Sequence, residues 1–355
     1  MSSGKGARPA RPGARFKLIF ELTDLCNFSC VHCFRTEAKG APRYLDKTVI
    51  DRVLDQAAAY NGLDLVALTG GEPTLHPEFV DIVATIANRG HDLTFISNAS
   101  RIDATLDAIL PYLGAVRSVA FSLDGGDATT HDQIRRRPGS FRQVVGAITR
   151  CRNEGLEVHV NSVVTRANAD ELEAIVALAA RLGCRAVGFA HCQPTPEAVA
   201  TGLVMDAGER RRAEADIAAL DDLFRIEVVV AGDHFTESPL HQCPQLRMEE
   251  LNIDYRGRLT ACCMLSGFRD GVADTDVLAD LGRDSLFEAH ERLVAAIAEV
   301  NSGRIRRLAT GGSLSVGERF LCTYCIQHYR KVPDLIRILD GVDRTANETE
   351  PGAST

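Results

Sequence analysis

Three cysteines close together in the sequence have the clearest chemical use in this chain. Cys26, Cys30 and Cys33 have the spacing C-x3-C-x2-C and follow an apolar run, Phe16 to Leu22, that predicts a first strand. Thiolates are the protein ligands of [4Fe–4S] clusters, so these side chains could bind three irons and leave the fourth open to an outside molecule. A structural zinc site takes four ligands, and this loop offers three. The spacing therefore favours an iron–sulfur cluster with one open iron.

This cysteine pattern resembles that of the radical S-adenosylmethionine (SAM) enzymes. The resemblance implies that the amino and carboxylate groups of SAM chelate the open iron. It also implies that an electron from the cluster cleaves SAM to a 5′-deoxyadenosyl radical, which abstracts hydrogen from a substrate. The family usually has an aromatic residue before the third cysteine, and this chain has the planar side chain of His32 there.

A glycine-rich turn follows the second predicted strand. The turn is Gly70-Gly71-Glu72-Pro73. Two glycines let the backbone approach a ligand closely, and the glutamate can accept hydrogen bonds from a cationic amine. Alone, the turn is equally consistent with a tight βα connection capped by the glutamate. Beside the cysteine loop it resembles the family motif that binds the SAM amino group.

Polar residues end the next three predicted strands. Ser97 and Asn98 end the third, Ser122 the fourth, and Asn161 lies in the fifth. In barrel enzymes such positions are site residues. The family uses polar groups of the fourth and fifth strands for the SAM ribose and carboxylate, and Ser122 and Asn161 match them. Asp124 could instead cap a helix or turn.

A run of three arginines, Arg135 to Arg137, offers a further contact to SAM. One guanidinium could pair with the SAM carboxylate through two parallel hydrogen bonds. The alternative is a solvated helix face, and the sequence does not distinguish the three members.

A second group of cysteines, Cys243, Cys262, Cys322 and Cys325, lies far downstream. Four thiolates suit a fully ligated [4Fe–4S] cluster or a tetrahedral zinc. The layout resembles the Twitch domain, the short form of the SPASM extension of radical SAM enzymes, which carries one auxiliary cluster. The resemblance favours iron–sulfur over zinc. No cysteine follows Cys325, so a second auxiliary cluster is not expected.

The positions of the remaining cysteines relative to the predicted strands indicate their roles. Adjacent strand residues point to opposite faces, so Cys263 is expected to be spare beside Cys262. Cys192, with His191, ends the sixth predicted strand at the rim where the site is expected. Cys192 and Cys263 are therefore the candidate hydrogen-atom donors. Cys151 and Cys184 are expected in the core, and Asp233-His234 is a weak candidate for the cavity.

The pattern of elements predicts an α/β fold. Six short apolar runs, each followed by an amphipathic helical pattern, argue for a parallel sheet wrapped by helices. This matches the partial (β/α)6 barrel of the resembled family. The expected organisation is a flexible tail at 1–15, the barrel at 16–225, a small α+β Twitch-type domain at 226–340 and a tail at 341–355. The second domain is predicted to contain a hairpin across Arg256-Gly257, a helix over 284–299 and a loop over 303–317. The predicted strands are Phe16–Thr23, Leu63–Thr69, Asp92–Ser97, Ser118–Leu123, Glu157–Val164 and Arg185–Ala190, with Ile226–Ala231 as a possible seventh.

Composition narrows the function classes. The 355 residues have a formal net charge of −8, which argues against nucleic-acid binding. No apolar run approaches the ~18 residues of a membrane span, and no secretory signal is found. An odd count of eleven cysteines without a signal favours metal ligation in a reducing cytoplasm. The expected partners are a small-molecule or peptide substrate and a flavodoxin- or ferredoxin-type electron donor.

Three functions remain open. The first is oxidation of a small polar substrate by a radical SAM enzyme, with the auxiliary cluster taking the second electron. The second is modification of a ribosomally made peptide, which we expect less because only about fifteen residues precede the first strand. Epimerisation of a sugar with a cysteine hydrogen donor is a variant of the first. The third is a non-catalytic iron–sulfur scaffold or redox sensor, which the glycine-rich turn argues against.

Overall fold

The computed structural model describes residues 16–35, 41–60, 62–238, 241–268, 274–310 and 314–340. The two predicted tails, 1–15 and 341–355, lie outside the described residues.

In the part of the chain that the structure describes, ten strands form one sheet, and its first seven strands are all parallel. β1 to β7 lie side by side in chain order, each strand after the first being reached through one or more helices. β8 adds to the other side of β1 in parallel, and β9 and β10 follow antiparallel. The described sheet ends at β7 and β10, so it is open. The strands are β1 Phe16–Glu21, β2 Leu63–Thr69, β3 Leu93–Ser97, β4 Val116–Ser122, β5 Glu157–Val164, β6 Ala186–His191, β7 Glu227–Gly232, β8 Glu250–Ile253, β9 Arg258–Thr260 and β10 Val277–Asp280.

The helices bury their apolar faces against the sheet and one another. α8 and α10 each begin with a capping box. In α8 the Asp206 side chain accepts from the backbone amide of Glu209, and the Glu209 side chain accepts from the backbone amide of Asp206. Ser285 and Glu288 pair in the same way at the start of α10. None of the described helices has the length and apolarity needed to cross a membrane. The helices are α1 Lys47–Ala57, α2 Phe79–Asn88, α3 Ile102–Ile109, α4 Ala128–Arg135, α5 Ser140–Asn153, α6 Leu172–Arg181, α7 Pro196–Ala200, α8 Ala207–Leu223, α9 Cys263–Ser266, α10 Leu286–Ala309, α11 Leu321–His328 and α12 Leu335–Leu339.

Strand alternation divides the sheet into a helix-covered face and a concave face. Phe95, Phe121 and Phe189 are fully buried within the main hydrophobic core. Because successive side chains alternate between faces, Ser122 and Asn161 lie on the opposite, concave side and are only half-buried. The sheet therefore places small polar groups on one surface while its other surface anchors the fold. The predicted α/β fold with a mostly parallel sheet is confirmed.

One prediction about the second half was wrong, and one strand there was not predicted. The predicted loop over 303–317 begins as helix, because α10 continues to Ala309. Gly303 sits inside that helix, where a Cβ would lie 2.4 Å from the Tyr324 hydroxyl oxygen, so the glycine permits close packing rather than a turn. Strand β10 was not predicted, and residues 311–313 lie outside the described part. The predicted hairpin is present as β8 and β9. It extends the barrel sheet through β1, and the domain division near residue 225 stays a prediction.

Candidate functional site: two cysteine groups joined to one sheet

The first cysteine loop leaves the carboxyl end of β1 and is held by the neighbouring turn. The Gly71 amide donates to the Thr23 carbonyl at 2.7 Å, and the Glu72 amide donates to the Leu25 carbonyl at 2.8 Å. From the other side, the Val31 amide donates to the carbonyl of Ile134 in α4 at 3.0 Å. Backbone contacts on both flanks therefore fix the loop while its cysteines stay exposed or half-buried.

The glycines of the turn are required by contact with the cysteine loop. Gly70 has φ +137°, and a Cβ there would lie 2.5 Å from the Thr23 carbonyl oxygen. A Cβ on Gly71 would lie 2.2 Å from the carbonyl oxygen of Leu25, directly before Cys26. Any side chain at these positions would displace the backbone that carries the first cysteine.

Glu72 organises the turn from a buried position. Its Oε1 accepts from the Thr74 hydroxyl at 2.6 Å and the Ser97 hydroxyl at 2.9 Å, and its Oε2 accepts from the Asn98 amide at 2.7 Å. Burial raises the pKa of Glu72, and these hydrogen bonds counteract only part of that rise. A carboxylate offers about four lone-pair positions, so Oε2 keeps room for one further donor. Both predicted roles, capping and ligand binding, are compatible with this geometry.

Asn98 reaches the cysteine loop directly. Its Nδ2 donates to Asn27 Oδ1 at 2.9 Å and lies 3.8 Å from Cys26 Sγ. Ser97, in contrast, supports Glu72 and also accepts from the Ala99 amide. Both residues therefore shape the site, and direct contact of either one with SAM stays a prediction.

Asp124 connects the cysteine loop to two strands. Its Oδ2 lies 3.0 Å from His32 Nε2 and 2.6 Å from Arg135 Nε, and its Oδ1 accepts from the Val163 amide at 2.8 Å. Burial opposes ionisation of this carboxyl, but Arg135 and His32 outweigh it and hold its pKa well below the usual range. Asp124 caps no helix, since α4 is capped by Asp127.

The structure separates the three arginines of the run. Arg135 is buried, and its Nη1 lies 3.6 Å from Cys30 Sγ. Arg136 pairs with Glu197, and the Arg137 guanidinium lies 5.7 Å from the ring centre of Phe28. Arg135 is thus the member whose guanidinium lies beside a cysteine sulfur of the loop, a distinction the sequence could not make.

Ser122 and Asn161 are available to a ligand. They are paired in register on neighbouring strands and half-buried on the concave face. Neither side chain hydrogen-bonds to another residue among those described. Their roles with SAM stay predictions, but their polar groups are free on the surface where those roles require them.

The residues of this loop fit a three-cysteine iron–sulfur site. Burial raises the pKa of Cys26 to about 11 and also raises that of Cys30, where Arg135 counteracts it. A bound metal ion deprotonates such thiols, and a nearby guanidinium stabilises the thiolates. In the described part of the chain, no three His, Cys, Asp or Glu side chains are arranged as a metal-binding group. The fit to an iron–sulfur cluster therefore rests on the three thiols and on the guanidinium of Arg135 beside them.

The second group of cysteines lines one cavity. Cys243 precedes β8, Cys262 caps α9, and Cys322 and Cys325 lie on α11, yet all four face the same apolar space. Burial raises the pKa of Cys325 to about 12 and that of Cys322 well above its usual range, and neighbouring thiols raise both further. Four half-buried thiols that repel one another as thiolates suit a metal centre, and a zinc ion or an iron–sulfur cluster would satisfy them equally.

The argument that set Cys263 apart was wrong. The strand ends at Thr260, and Cys263 begins helix α9, so strand alternation does not apply to it. Its thiol hydrogen-bonds to Cys262, whose pKa is raised by this bond and by burial. Cys262, and not Cys263, lines the cavity. Cys263 is therefore adjacent to the second cysteine group rather than turned away from it.

The other predicted candidates serve the fold. The Cys192 thiol is buried against Ala198 and Val204, and burial raises its pKa to about 12. His191 turns toward α8, where its Nε2 lies 2.9 Å from Glu214 Oε1. Cys151 and Cys184 are buried in the core as expected. Asp233 of the predicted Asp233-His234 pair is also buried. It forms an ion pair with Arg210 and accepts from the Cys322 amide at 2.8 Å.

A buried ion pair joins the two cysteine regions. Glu21 ends β1, and its Oε2 accepts from Arg35 Nη1 at 2.8 Å, two residues after Cys33. Its Oε1 accepts from Asn252 Nδ2 at 2.9 Å and from the Ser266 hydroxyl. Burial opposes ionisation of Glu21, but the charge of Arg35 and the hydrogen bonds from Arg35, Ser266 and Asn252 together outweigh it and lower the pKa of this carboxyl. The segment after the first cysteine group is thereby fixed against β8 and α9. No sequence signal distinguished this glutamate.

Comparison with known proteins identifies the class. Residues 20–179 match the Radical SAM superfamily, and the chain therefore contains a radical SAM domain. This family implies a [4Fe–4S] cluster and SAM as cofactors.

Three similar proteins are informative. Mycofactocin maturase MftC of Mycolicibacterium smegmatis is 36% identical over 171 residues, which cover 47% of this chain and 42% of that protein. PqqA peptide cyclase of Methylorubrum populi is 32% identical over 182 residues, covering 50% and 46%. The structure of native anSMEcpe with bound AdoMet and Cp18Cys peptide superposes with a TM-score of 0.62 at 16% identity, covering 95% of this chain and 100% of that one. The last likeness shows the fold alone, and the chain spans less than half of the two curated relatives.

Proposed function

We propose that this protein is a radical SAM enzyme that modifies a peptide substrate. The observation that carries the proposal is the three-cysteine loop held by backbone contacts against the Gly70-Gly71 turn. Gly70 and Gly71 have no room for a side chain, and their close contact holds the loop of Cys26, Cys30 and Cys33 at the carboxyl end of β1. The cluster and SAM, when bound, supply a radical that abstracts hydrogen from the substrate.

The residues around the loop divide the remaining work. Cys26, Cys30 and Cys33 would hold the cluster, and Arg135 would stabilise the Cys30 thiolate from 3.6 Å. The free acceptor position of Glu72 Oε2 would take the SAM amino group. Ser122 and Asn161, with no other partner among the described residues, would hydrogen-bond its ribose and carboxylate.

We further propose that the second cysteine group forms a Twitch-type auxiliary [4Fe–4S] site. The convergence of Cys243, Cys262, Cys322 and Cys325 on one apolar cavity supports this reading. An iron–sulfur cluster there could take the second electron from the substrate radical left by hydrogen abstraction, which zinc could not. A flavodoxin- or ferredoxin-type protein would supply the electron for the first site.

A peptide is favoured as the substrate by the relatives. One of them is a peptide cyclase, and one structure of the same fold has a bound peptide. That structure is covered by this chain over its whole length. A chain of this length can therefore have the fold of a peptide-bound protein. The small number of residues before the first strand then no longer favours a small substrate over a peptide.

Oxidation of a small polar substrate is the second candidate. The half-buried polar side chains of the concave face, Ser122 and Asn161, would suit a hydroxylated ligand. The epimerase variant needs an accessible thiol as hydrogen donor. Cys192 is 1% exposed and fits that role poorly. Cys263 is half-buried and stays the better candidate of the two.

The radical chemistry is tested by the products of SAM. Anaerobically reconstituted protein should hold about eight irons and release 5′-deoxyadenosine with dithionite and SAM. Replacement of Cys26, Cys30 and Cys33 by Ala should leave about four irons and abolish 5′-deoxyadenosine. Cys184→Ala, which removes a core thiol outside both groups, is the matched control and should behave as wild type. Unchanged iron in the triple variant would refute the assignment.

The substrate class is tested by turnover followed by mass spectrometry. A precursor peptide encoded beside the gene should change mass only with the intact first cysteine group. If the peptide stays unmodified and an aminocyclitol instead yields a product two hydrogens lighter, the second candidate replaces the first. A product of unchanged mass that carries solvent deuterium at one carbon would indicate epimerisation.

A further inference from the structure

A buried amide without a partner lies in the cavity of the second cysteine group. Gln245 is 5% exposed and lines the cavity together with Cys243, Cys262, Cys322 and Cys325. Among the residues that the structure describes, neither its Nε2 nor its Oε1 has a hydrogen-bond partner. The other lining side chains are almost all apolar.

Such an arrangement is costly unless something in the cavity pairs with the amide. Leaving a buried polar group unsatisfied costs about 1–3 kcal/mol, and a leucine or methionine at this position would avoid that cost. The backbone around Gln245 already serves the cysteine group, because the amides of Leu246 and Gln245 donate to the Cys243 thiol. The side chain is the polar group of this segment that has no assigned partner.

We propose that the Gln245 side-chain amide donates a hydrogen bond to the sulfur atoms of the auxiliary cluster and thereby raises its reduction potential. The inference rests on the proposed auxiliary site. Gln245 is a positioning and tuning residue and not a ligand, since the four cysteines complete the ligand set. The physical basis is that hydrogen bonds to the sulfurs stabilise the more negatively charged, reduced cluster. The Gln245 Nε2 group thereby gains the acceptor that it lacks among the described residues.

The test measures the potential of the auxiliary cluster alone. The full chain with Cys26, Cys30 and Cys33 replaced by Ala keeps only the second cysteine group. In this background Gln245→Met removes the amide at similar length, and Gln245→Glu keeps the size but offers no donor at neutral pH. Gln143→Leu, on the exposed face of α5, is the control. Iron content, redox titration followed by electron paramagnetic resonance, and urea unfolding are measured on each.

We expect about four irons in every variant. The midpoint potential should become more negative with Gln245→Met, more negative still with Gln245→Glu, and unchanged with Gln143→Leu. Gln245→Met should raise the urea midpoint of the iron-free protein, because the unsatisfied amide is gone. It should lower the urea midpoint of the iron-loaded protein, because the hydrogen bond to sulfur is lost.

Three results would overturn the proposal, and they are distinguishable. Absence of iron from the background variant would refute the auxiliary cluster and the role of Gln245 with it. Four irons with an unchanged potential in both Gln245 variants would refute the hydrogen bond and leave the cluster standing. Loss of iron from both Gln245 variants, with the control intact, would show that the amide is needed to hold the cluster rather than to tune it.

Discussion

The substitution Gly71→Ala tests whether the glycine-rich turn positions the first cysteine group. A Cβ on Gly71 would lie 2.2 Å from the Leu25 carbonyl oxygen, 2.5 Å from its carbon and 2.9 Å from the Asp24 carbonyl oxygen. All three atoms are backbone, so no side-chain rotation can relieve the contact. Ordinary contact distances are near 3.5 Å, and the segment before Cys26 must therefore move by about 1 Å.

That displacement should affect stability and function by different amounts. Forcing a methyl group into a well-packed site costs about 1–3 kcal/mol, so the free energy of unfolding should fall by that amount. Misplacing a reactive group by about 1 Å can cost about 100-fold in rate, so release of 5′-deoxyadenosine should fall at least that far. Iron content should fall toward that of the first-group triple cysteine variant.

The assays are urea unfolding, iron content and 5′-deoxyadenosine release under anaerobic conditions. Gly146→Ala is the matched control, since Gly146 lies within α5 and a Cβ there meets no atom within 4 Å. This control should be stabilised by about 0.5–1 kcal/mol, because alanine favours the helix. If Gly71→Ala retains wild-type iron, rate and urea midpoint, the turn does not position the cysteine loop and the reasoning fails.

Three further outcomes are expected. Replacing Cys322 and Cys325 by Ala should remove about four irons yet spare 5′-deoxyadenosine release, since the first group keeps its ligands; loss of that release would show that the two sites are not independent. Burial lowers the pKa of His131 to about 4, against 6.5 in the unfolded chain. Above about pH 6.5 this histidine is neutral in both states, and the free energy of unfolding does not depend on pH through it. As the pH falls to about 4, the free energy of unfolding should fall by about 3 kcal/mol, because the unfolded state takes up the proton first. Urea unfolding of His131→Gln against pH should lack this component, and parallel pH profiles would contradict it. Lys331→Met removes the fully buried ammonium that lies 2.6 Å from the fully buried carboxylate of Asp276; the free energy of unfolding should fall by about 3–5 kcal/mol, and a loss below about 1 kcal/mol would rule out a dominant role for the pair.

Features that repeat along the chain were predictable from the sequence. The bounds of β2 and β5 agree with the predicted strands, since β2 is largely apolar and β5 has a buried valine at every second position but one. The position of the cysteine loop was also predictable, because the loop directly follows the apolar run of β1. The full length of α10 was missed, because Gly303 and the following arginines resemble a loop when the packing of Tyr324 on that glycine is unknown.

Features that depend on contacts distant in sequence were not predictable. Arg135 differs from its two neighbours only because α4 ends against the cysteine loop, about one hundred residues away. His191 ends a strand at the expected rim, yet strand alternation turns it toward α8. Gln245 is an ordinary polar residue in the sequence, and only the structure shows that its amide is buried in the cavity of the second cysteine group. In each case the side chain's use is set by a partner that no local pattern reveals.

The ion pair at the end of β1 also constrains how the protein acquires its structure. Glu21 is buried against Asn252, which lies 231 residues further along the chain. During synthesis at about 5–20 residues per second, roughly 10–50 s pass before that partner emerges. Until then one edge of β1 is unpaired, and its terminal carboxylate must stay in water or find a temporary partner. The final seating of the first cysteine loop is therefore a late event in folding. Iron delivered earlier would meet thiols whose backbone is not yet fixed, so we expect productive cluster insertion to follow completion of the β8–β9 hairpin.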